Sequence, residues 1–348
     1  MYFAKVAGYP TKYAKMSHSG TNKGVEAMLE VEDLTKNYGD FQAVKGVSFR
    51  VNQGEIFGFL GPNGAGKTTT INMLTGLAKI TRGRAALAGM DCSRDIKKAQ
   101  GMMGIVPDES NLYDELSGFE NLCFCGALYG MEKPDRERRA GELLKEFGLA
   151  DTGARPFKAY SKGMKRKLTI AAGLIHQPKI LFLDEPTTGI DVASARQIRQ
   201  LILKLNREGA TIFLTTHYIE EAERLCARVA FIVEGAIVRL GTIGRLMQEA
   251  QEETVIQFSL NSRVQEIREA LEKEFPKFHI EFTGGSALRI RSPYSVELFP
   301  FMDFFRKHGL PVYEAKLLRP SLEDVFVKVT GIESHKMVKE IEKGGGKK

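Results

Sequence analysis

Hydrophobic and polar positions along the chain follow two periods, which divide it into short apolar strands and amphipathic helices. Continuous apolar runs, typical of strands buried on both faces, occur at residues 55–60 and 180–183. Apolar side chains spaced three and four residues apart predict helices within 118–147, 160–175 and 192–206. Strands that alternate with helices indicate an α/β domain with a mainly parallel core sheet.

The pattern changes after about residue 247, where the polar segment 248–253 is interpreted as a hinge. The segments beyond it predict the order strand, helix, strand, strand, helix, strand, followed by a short helix over 321–329. This order suits a small ferredoxin-like α+β domain over 254–331. We find no phosphate loop, metal cluster or nucleophile–base pair in its sequence.

Length and composition favour two domains and limit the function classes. The chain has 348 residues, of which 43% are hydrophobic. We expect a disordered basic arm over 1–27, a first domain over 28–247 and a charged tail over 332–348. A net charge of +7 suits nucleic acid or an anionic membrane but is diagnostic of neither.

Cysteines and hydropathy exclude further classes of site. The four cysteines form no metal-ligand spacing with the six histidines, so we interpret them as reduced thiols of a cytosolic protein. No apolar run approaches the roughly 18 residues that span a bilayer. If the protein works at a membrane, a partner must supply the spanning segments.

A glycine-rich loop over 61–69 matches the pattern Gly, four residues, Gly-Lys-Ser/Thr, between a predicted strand and a predicted helix. In that helix we expect Ile71, Leu74 and Leu77 to share one face. Its glycines let backbone N–H groups converge on phosphate oxygens, and the helix dipole adds positive potential. The predicted triphosphate ligands are Gly61, Asn63, Gly64, Ala65, Gly66, Lys67, Thr68 and Thr69.

Two carboxylates, Asp184 and Glu185, end the apolar strand 180–183. In phosphate-loop ATPases an Asp at this place holds Mg²⁺ together with the loop hydroxyl, here Thr68. The neighbouring Glu185 is placed to deprotonate an attacking water. The alternative is a buried strand whose acidic end merely meets solvent; the phosphate loop upstream favours the catalytic interpretation.

Five motifs occur in a fixed order, and together they resemble the nucleotide-binding subunit of an ATP-binding cassette (ABC) transporter. They are the phosphate loop, the signature segment 160–164, and residues 183–187, 189–191 and 216–217. The resemblance covers about 29–246. It implies a P-loop ABC ATPase domain with a helical insertion over about 109–175.

The resemblance also implies roles for single residues. Tyr38 would stack on adenine with Val44 nearby, Asp191 would communicate between two sites, and His217 would contact the γ-phosphate. A capping or core histidine is the alternative for His217. The signature of one subunit would cap ATP bound by the other through Ser161, Lys162, Gly163 and Met164.

The chain departs from the family pattern at two positions. Lys162 stands where the family usually has Gly, and Asp108 follows Pro107 where the family has Gln. A carboxylate suits Mg²⁺, so Asp108 is a third candidate metal ligand. Downstream, Leu112, Tyr113, Leu116 and Phe119 either form a groove for a permease helix or pack the insertion's own core.

Residues 319–326 resemble the ending of drug-resistance-type exporter subunits. The resemblance therefore implies an ATPase that uses ATP and Mg²⁺, forms a homodimer and powers a separate transmembrane permease. We expect it at the cytoplasmic face of the cell membrane and expect no nucleic-acid partner. The rival hypotheses are an ABC ATPase that acts on nucleic acid or ribosomes and a non-transport regulator that uses ATP as a switch.

Overall fold

The computed structural model describes residues 26–251, 253–260, 264–283, 286–318 and 320–332. Contacts divide the chain into two compact units between Thr242 and Ile243. Nearly all of the predicted basic arm and charged tail, residues 1–25 and 333–348, lie outside the described residues.

The first unit contains an antiparallel sheet and a mainly parallel sheet. The antiparallel sheet has the order β2-β1-β4-β5, and the other has the order β10-β9-β3-β8-β7-β6, parallel except for β10 against β9. The strands are β1 (Ala27–Tyr38), β2 (Phe41–Asn52), β3 (Ile56–Leu60), β4 (Arg82–Leu87), β5 (Met90–Asp91), β6 (Met103–Val106), β7 (Ile180–Asp184), β8 (Thr211–Thr216), β9 (Arg228–Val233) and β10 (Ala236–Thr242).

Apolar side chains pack on the parallel sheet and bury its central strands. Every residue of β3, β7 and β8 is buried, as continuous apolar strands require. The rings of Phe49, Phe57, Phe59 and Phe182 each lie within 5.8 Å of the Phe213 ring, centroid to centroid. The predicted mainly parallel α/β core is thus confirmed.

The first unit contains seven helices within the described residues, and all except α2 lie where a helix was predicted, with shifted ends. They are α1 (Lys67–Leu74), α2 (Ile96–Gln100), α3 (Gly118–Leu128), α4 (Lys133–Glu146), α5 (Lys162–Leu174), α6 (Val192–Arg207) and α7 (Ile219–Leu225), with short 3-10 turns at Ala150–Thr152 and Phe157–Ala159. The expectation for Leu77 is wrong: α1 ends at Leu74, Gly76 takes a φ of 79°, and Leu77 is 66% exposed.

Within the insertion, a buried amide clamps the loop that leads into α3. Ser117 caps α3 in a reciprocal capping box with Glu120. The Asn121 side chain accepts a hydrogen bond from Tyr113 N (2.9 Å) and donates to the carbonyls of Tyr113 (3.0 Å), Leu116 (3.2 Å) and Ser117 (3.1 Å). One side chain thereby fixes the path of residues 113–117.

The second unit is an antiparallel sheet in the order β12-β13-β11-β14, with Phe258, Phe301, Phe304 and Phe305 in its core. Its elements are α8 (Ile243–Ala250), β11 (Thr254–Leu260), a 3-10 turn (Val264–Ile267), α9 (Arg268–Glu274), β12 (His279–Phe282), β13 (Ala287–Ser292), α10 (Phe299–Lys307), β14 (Val312–Leu318) and α11 (Leu322–Thr330).

The segment 248–253, interpreted as a hinge, is helical up to Ala250, because α8 is amphipathic and buries Leu246. The division between the units therefore falls before α8 rather than at residue 247. Helix α10 begins at Phe299, and Pro300 occupies its first turn, where proline is tolerated.

We predict that Asn121→Ala lowers the free energy of unfolding by about 1–3 kcal/mol, because backbone groups that the amide satisfies become unpaired. Urea denaturation measures the change. The control, Asn37→Ala, removes an exposed side chain and is expected to stay within about 0.5 kcal/mol of the parent. Equal stability of the two variants would contradict the clamp.

Candidate functional site

The phosphate loop (residues 61–69) connects β3 to α1, and close backbone packing requires two of its glycines. A Cβ at Gly61 would stand 2.1 Å from the Ile232 carbonyl oxygen. Gly66 has a φ of 100°, and a Cβ there would stand 2.7 Å from the Ala43 carbonyl oxygen. The loop is therefore pressed against neighbouring backbone, and the N–H groups of Gly61 and Ala65 donate to the carbonyls of Thr216 (3.4 Å) and Pro62 (3.2 Å).

Lys67 is buried and bends back over the loop. Its Nζ donates hydrogen bonds to the carbonyls of Gly61 (2.8 Å) and Pro62 (3.2 Å), and it lies 3.2 Å from Glu185 Oε1. The ammonium group thus joins the phosphate loop to the acidic end of β7. An ion pair excluded from water in this way is strong only while both partners are present.

Asp184 and Thr68 supply adjacent oxygens at the same edge of the sheet. The Thr68 hydroxyl donates to Asp184 Oδ2 (2.9 Å), and the Thr215 hydroxyl donates to Asp184 Oδ1. Hydroxyl and carboxylate oxygens that leave further positions to phosphates and water suit Mg²⁺. Among the described residues, no group of three or more His, Cys, Asp or Glu side chains could hold a metal by itself.

The side chains of Glu185 and His217 are in contact. His217 Nδ1 lies 2.9 Å from Glu185 Oε2, which also accepts from the His217 backbone N–H (3.3 Å) and the Thr188 hydroxyl (3.2 Å). Burial raises the pKa of Glu185, but the hydrogen bond from His217 and the charge of Lys67 outweigh it and leave the pKa below its ordinary value. The carboxylate is therefore held ionised.

The backbone at Glu185 is strained. Its φ is 48°, a left-handed conformation that residues with a side chain seldom adopt. The turn is fixed partly by the Glu185 N–H, which donates to the Thr215 carbonyl (3.1 Å) and hydroxyl (3.2 Å). His217 Nε2 is buried and has no hydrogen-bond partner within the described residues, so one ring nitrogen remains for a ligand.

The carboxyl of Glu221, a second buried acid, has a pKa shifted in the direction opposite to that of Glu185. Burial raises the pKa of Glu221, although the Thr187 hydroxyl donates to its Oε1 (2.6 Å). Glu221 on α7 thus ties the segment after β8 to the segment after β7. Sequence reasoning missed both Glu221 and Thr215, because neither belongs to the motif residues from which roles were inferred.

The two residues predicted near adenine occupy different environments. Tyr38 is 51% exposed at the end of β1, with Lys36 Nζ 4.7 Å from its ring centroid. Phe41 pairs with Tyr38 across the hairpin and is 67% exposed, so it is a further aromatic candidate that sequence reasoning missed. Val44 is fully buried, and its Cγ2 would lie 3.3 Å from a Cβ at Gly66, so it supports the phosphate loop from beneath.

The predicted signature residues lie at the beginning of α5. Ser161 caps the helix by accepting from Met164 N (3.2 Å), and Ser161 and Lys162 are exposed. Gly163 is buried against α6, where a Cβ would stand 2.2 Å from Ser194 Oγ. Asp191 caps α6 by accepting from Ser194 N (2.9 Å), and hydrogen bonding to the Ser194 side chain and backbone lowers the pKa of its carboxyl.

Asp108 lies at the surface beyond β6, and no hydrogen bond to its carboxylate appears among the described residues. Desolvation raises the pKa of this carboxyl, and it outweighs the attraction of Arg166. Arg166 is the other functional candidate that sequence reasoning missed. The available signal was a charged residue at helical spacing from Gly163 and Ile170, both on the buried face of α5.

Comparison with known proteins agrees with this geometry. The model of the ABC transporter family matches residues 44–188. The linearmycin resistance ATP-binding protein LnrL of Bacillus subtilis (strain 168) is 35% identical over 310 residues, covering 87% of this chain and 98% of the relative. The chain belongs to the ABC transporter family. It is an ABC-type ATPase, a nucleotide-binding subunit similar to ATP-binding proteins of the drug-resistance type.

Two further relatives extend the comparison of this ABC ATPase. The daunorubicin resistance ATP-binding protein DrrA3 of Streptomyces coeruleorubidus is 33% identical over 313 residues, covering 88% of this chain and 96% of the relative. A solved dimeric ATP-binding cassette in a post-hydrolysis state, bound to ADP and Pi, is 27% identical with a TM-score of 0.57. That alignment covers 62% of this chain and 98% of the solved chain.

The four residues predicted to form a groove on the insertion of this ABC ATPase differ in their exposure. Leu112 and Phe119 are partly buried against the hydrophobic core, and Leu116 is half-buried. Tyr113 is 55% exposed and makes an edge-on ring contact with Phe124 (5.1 Å). Tyr113, Phe124 and Leu128, all exposed, form what we name the apolar patch.

We predict that Gly163→Ala lowers stability by about 1–3 kcal/mol, because the new methyl group overlaps Ser194. Adding Ser194→Gly removes the overlapping atoms and is expected to restore most of the loss. Thermal unfolding of the single and double variants measures both effects.

Gly141→Ala is the matched control for this pair, since a Cβ there meets nothing within 4 Å. It is expected to be neutral or to stabilise α4 by up to about 1 kcal/mol. The packing account would be wrong if Gly163→Ala behaved like Gly141→Ala.

Proposed function

We propose that this ABC ATPase works as a homodimer that powers a separate transmembrane permease, as an exporter, at the cytoplasmic face of the cell membrane. The names of the resistance proteins LnrL and DrrA3 support export, and the solved dimeric cassette supports a paired arrangement. Within the described residues, no helix is long and apolar enough to cross a membrane.

The observation that carries the proposal is the buried cluster of Lys67, Glu185 and His217. Lys67 Nζ lies 3.2 Å from Glu185 Oε1. The β- and γ-phosphates of ATP carry more negative charge than one carboxylate, so Lys67 turns toward them and Glu185 loses its counter-charge. Glu185 then becomes available as a general base for water, with His217 still bound to its other oxygen.

The donor set described above fits Mg²⁺, and we propose that Thr68 and Asp184 hold the ion. When bound, it supplies charge neutralisation on the phosphates. Thr215 orients Asp184 by donating to the oxygen that Thr68 does not use. Asp108 stays a third candidate ligand on its chemistry alone.

In this proposal, the signature of a second chain closes the nucleotide site of the first. Ser161 and Lys162 are exposed at the first turn of α5, where a hydroxyl, backbone N–H groups and an ammonium group meet an anion. Asp191 lies one helix away and communicates between the two sites in this proposal. Closure driven by ATP is the step that does work on the permease.

We propose that the apolar patch meets the permease. Its three side chains are exposed apolar groups on the insertion, and exposed apolar patches mark interaction sites.

We propose that the second unit belongs to the ferredoxin-like class. Its all-antiparallel order and split strand–helix–strand connections support this class.

Glu185→Gln tests the hydrolysis step. We expect ATP binding to persist, ATPase activity to fall by at least about 100-fold, and the variant to remain dimeric with ATP, because only the general base is lost. Phosphate release and sizing chromatography with ATP measure these effects. Glu234→Gln is the control, because Glu234 has a similar φ of 47° but an exposed side chain.

Near-normal hydrolysis by Glu185→Gln would reject Glu185 as the base. A dimer that never forms with ATP would reject the two-chain site.

Phe124→Asp together with Leu128→Asp tests the membrane partner. We expect the basal ATPase activity and melting temperature to stay near those of the parent, while recovery of an integral membrane protein in mild-detergent pull-downs falls at least about tenfold. Leu77→Asp is the control, since Leu77 is an exposed leucine outside the patch. Recovery of nucleic acid or ribosomes instead of a membrane protein would favour the rival function.

A further inference from the structure

The guanidinium of Arg166, which is 6% exposed, is fully used by main-chain acceptors. Its Nε donates to the Pro186 carbonyl (2.9 Å). One terminal nitrogen donates to the carbonyls of Pro107 (2.5 Å) and Asp108 (3.0 Å), and the other to those of Asp184 (2.6 Å) and Glu185 (2.5 Å). A guanidinium has five N–H donors, and each of them has a carbonyl partner here.

These five acceptors belong to two segments far apart in the chain. Three come from the acidic turn, residues 184–186, and two from residues 107–108, which follow β6. Arg166 itself lies on α5, five residues after Ser161. One planar group therefore fixes the beginning of α5, the acidic turn and the segment after β6 relative to one another.

The main-chain acceptors lie at the strained position of the site. Glu185 has a φ of 48°, and such a conformation persists only when its surroundings determine it. Arg166 takes the carbonyls on both sides of this residue as well as its own. A buried charge usually has a carboxylate partner, and no ion pair of Arg166 occurs among the described residues. Burying this guanidinium therefore costs free energy, even with its backbone hydrogen bonds. A stabilising role alone does not require that cost.

We propose that Arg166 is a positioning residue for ATP hydrolysis, which holds the Glu185 backbone in its strained conformation so that the carboxylate faces the attacking water. It touches neither phosphate nor metal in this proposal. The inference rests on the proposed role of Glu185 as the base. Because the same side chain binds the segment carrying Asp108, a shift of that segment would reach Glu185 directly through one rigid group.

The proposal predicts a separation of kcat from KM. Arg166→Ala is expected to lower kcat by about 10–100-fold and to change KM for ATP less than about threefold, because misplacement of the base affects chemistry rather than nucleotide contacts. Guanidinium chloride at tens of millimolar, well below denaturing concentrations, is expected to restore part of kcat by occupying the vacated site. Ammonium chloride at the same ionic strength is expected not to do so.

Arg139→Ala is the matched control, since Arg139 is another buried arginine of the first unit, 4% exposed on α4. It is expected to lose stability without a comparable loss of kcat per folded molecule and without rescue by guanidinium. Arg166→Lys keeps the charge but not the planar fork, and is expected to keep a low kcat while folding. It replaces Arg166→Ala in the kcat and KM comparison if the alanine variant does not fold.

The proposal is overturned if folded Arg166→Ala or Arg166→Lys keeps kcat within about twofold, if KM rises in proportion to the loss, or if guanidinium fails to act on folded Arg166→Ala. Glu185→Gln, measured in parallel, distinguishes the positioning role of Arg166 from the proposed role of Glu185 as the base. Loss of hydrolysis there, with Arg166 variants unaffected, rejects only the positioning role. Retained hydrolysis in Glu185→Gln rejects the proposed base itself.

Discussion

The site depends on keeping opposite charges together where water is excluded. Lys67, Glu185 and His217 are all buried, and their mutual contacts hold the carboxylate ionised against the cost of burial. Everything around them serves this arrangement: the phosphate loop positions Lys67, β7 positions Glu185, and the end of β8 positions His217. The parallel sheet brings the three together because its strands end at one edge.

Main-chain carbonyls complete the polar part of the site. The loop carbonyls of Gly61 and Pro62 receive the Lys67 ammonium, and five carbonyls receive the Arg166 guanidinium. Carbonyl oxygens have no net charge and do not titrate, so they hold cations without competing for the protons that the reaction moves. The backbone thus stabilises the buried cations while the carboxylates stay available for chemistry.

Much of the first unit and the main site residues could be predicted because their information is contiguous. The phosphate loop, the pair Asp184–Glu185 and His217 each stand next to an apolar strand whose pattern is legible. Arg166 could not be predicted in the same way, because its partners are backbone atoms of distant segments and carry no residue identity. Leu77 was misplaced since apolar spacing does not reveal that a helix ends before Gly76.

The cap of α5 has a consequence for how two chains would meet. Ser161 Oγ uses a lone pair to accept from Met164 N, which leaves its hydroxyl hydrogen available to donate. A phosphate from a second chain would meet this donor on an exposed side chain, at the end of a helix that is already formed. Closure of the dimer would then bring together two surfaces that are already folded. Its rate would be set by the approach of whole domains rather than by local refolding.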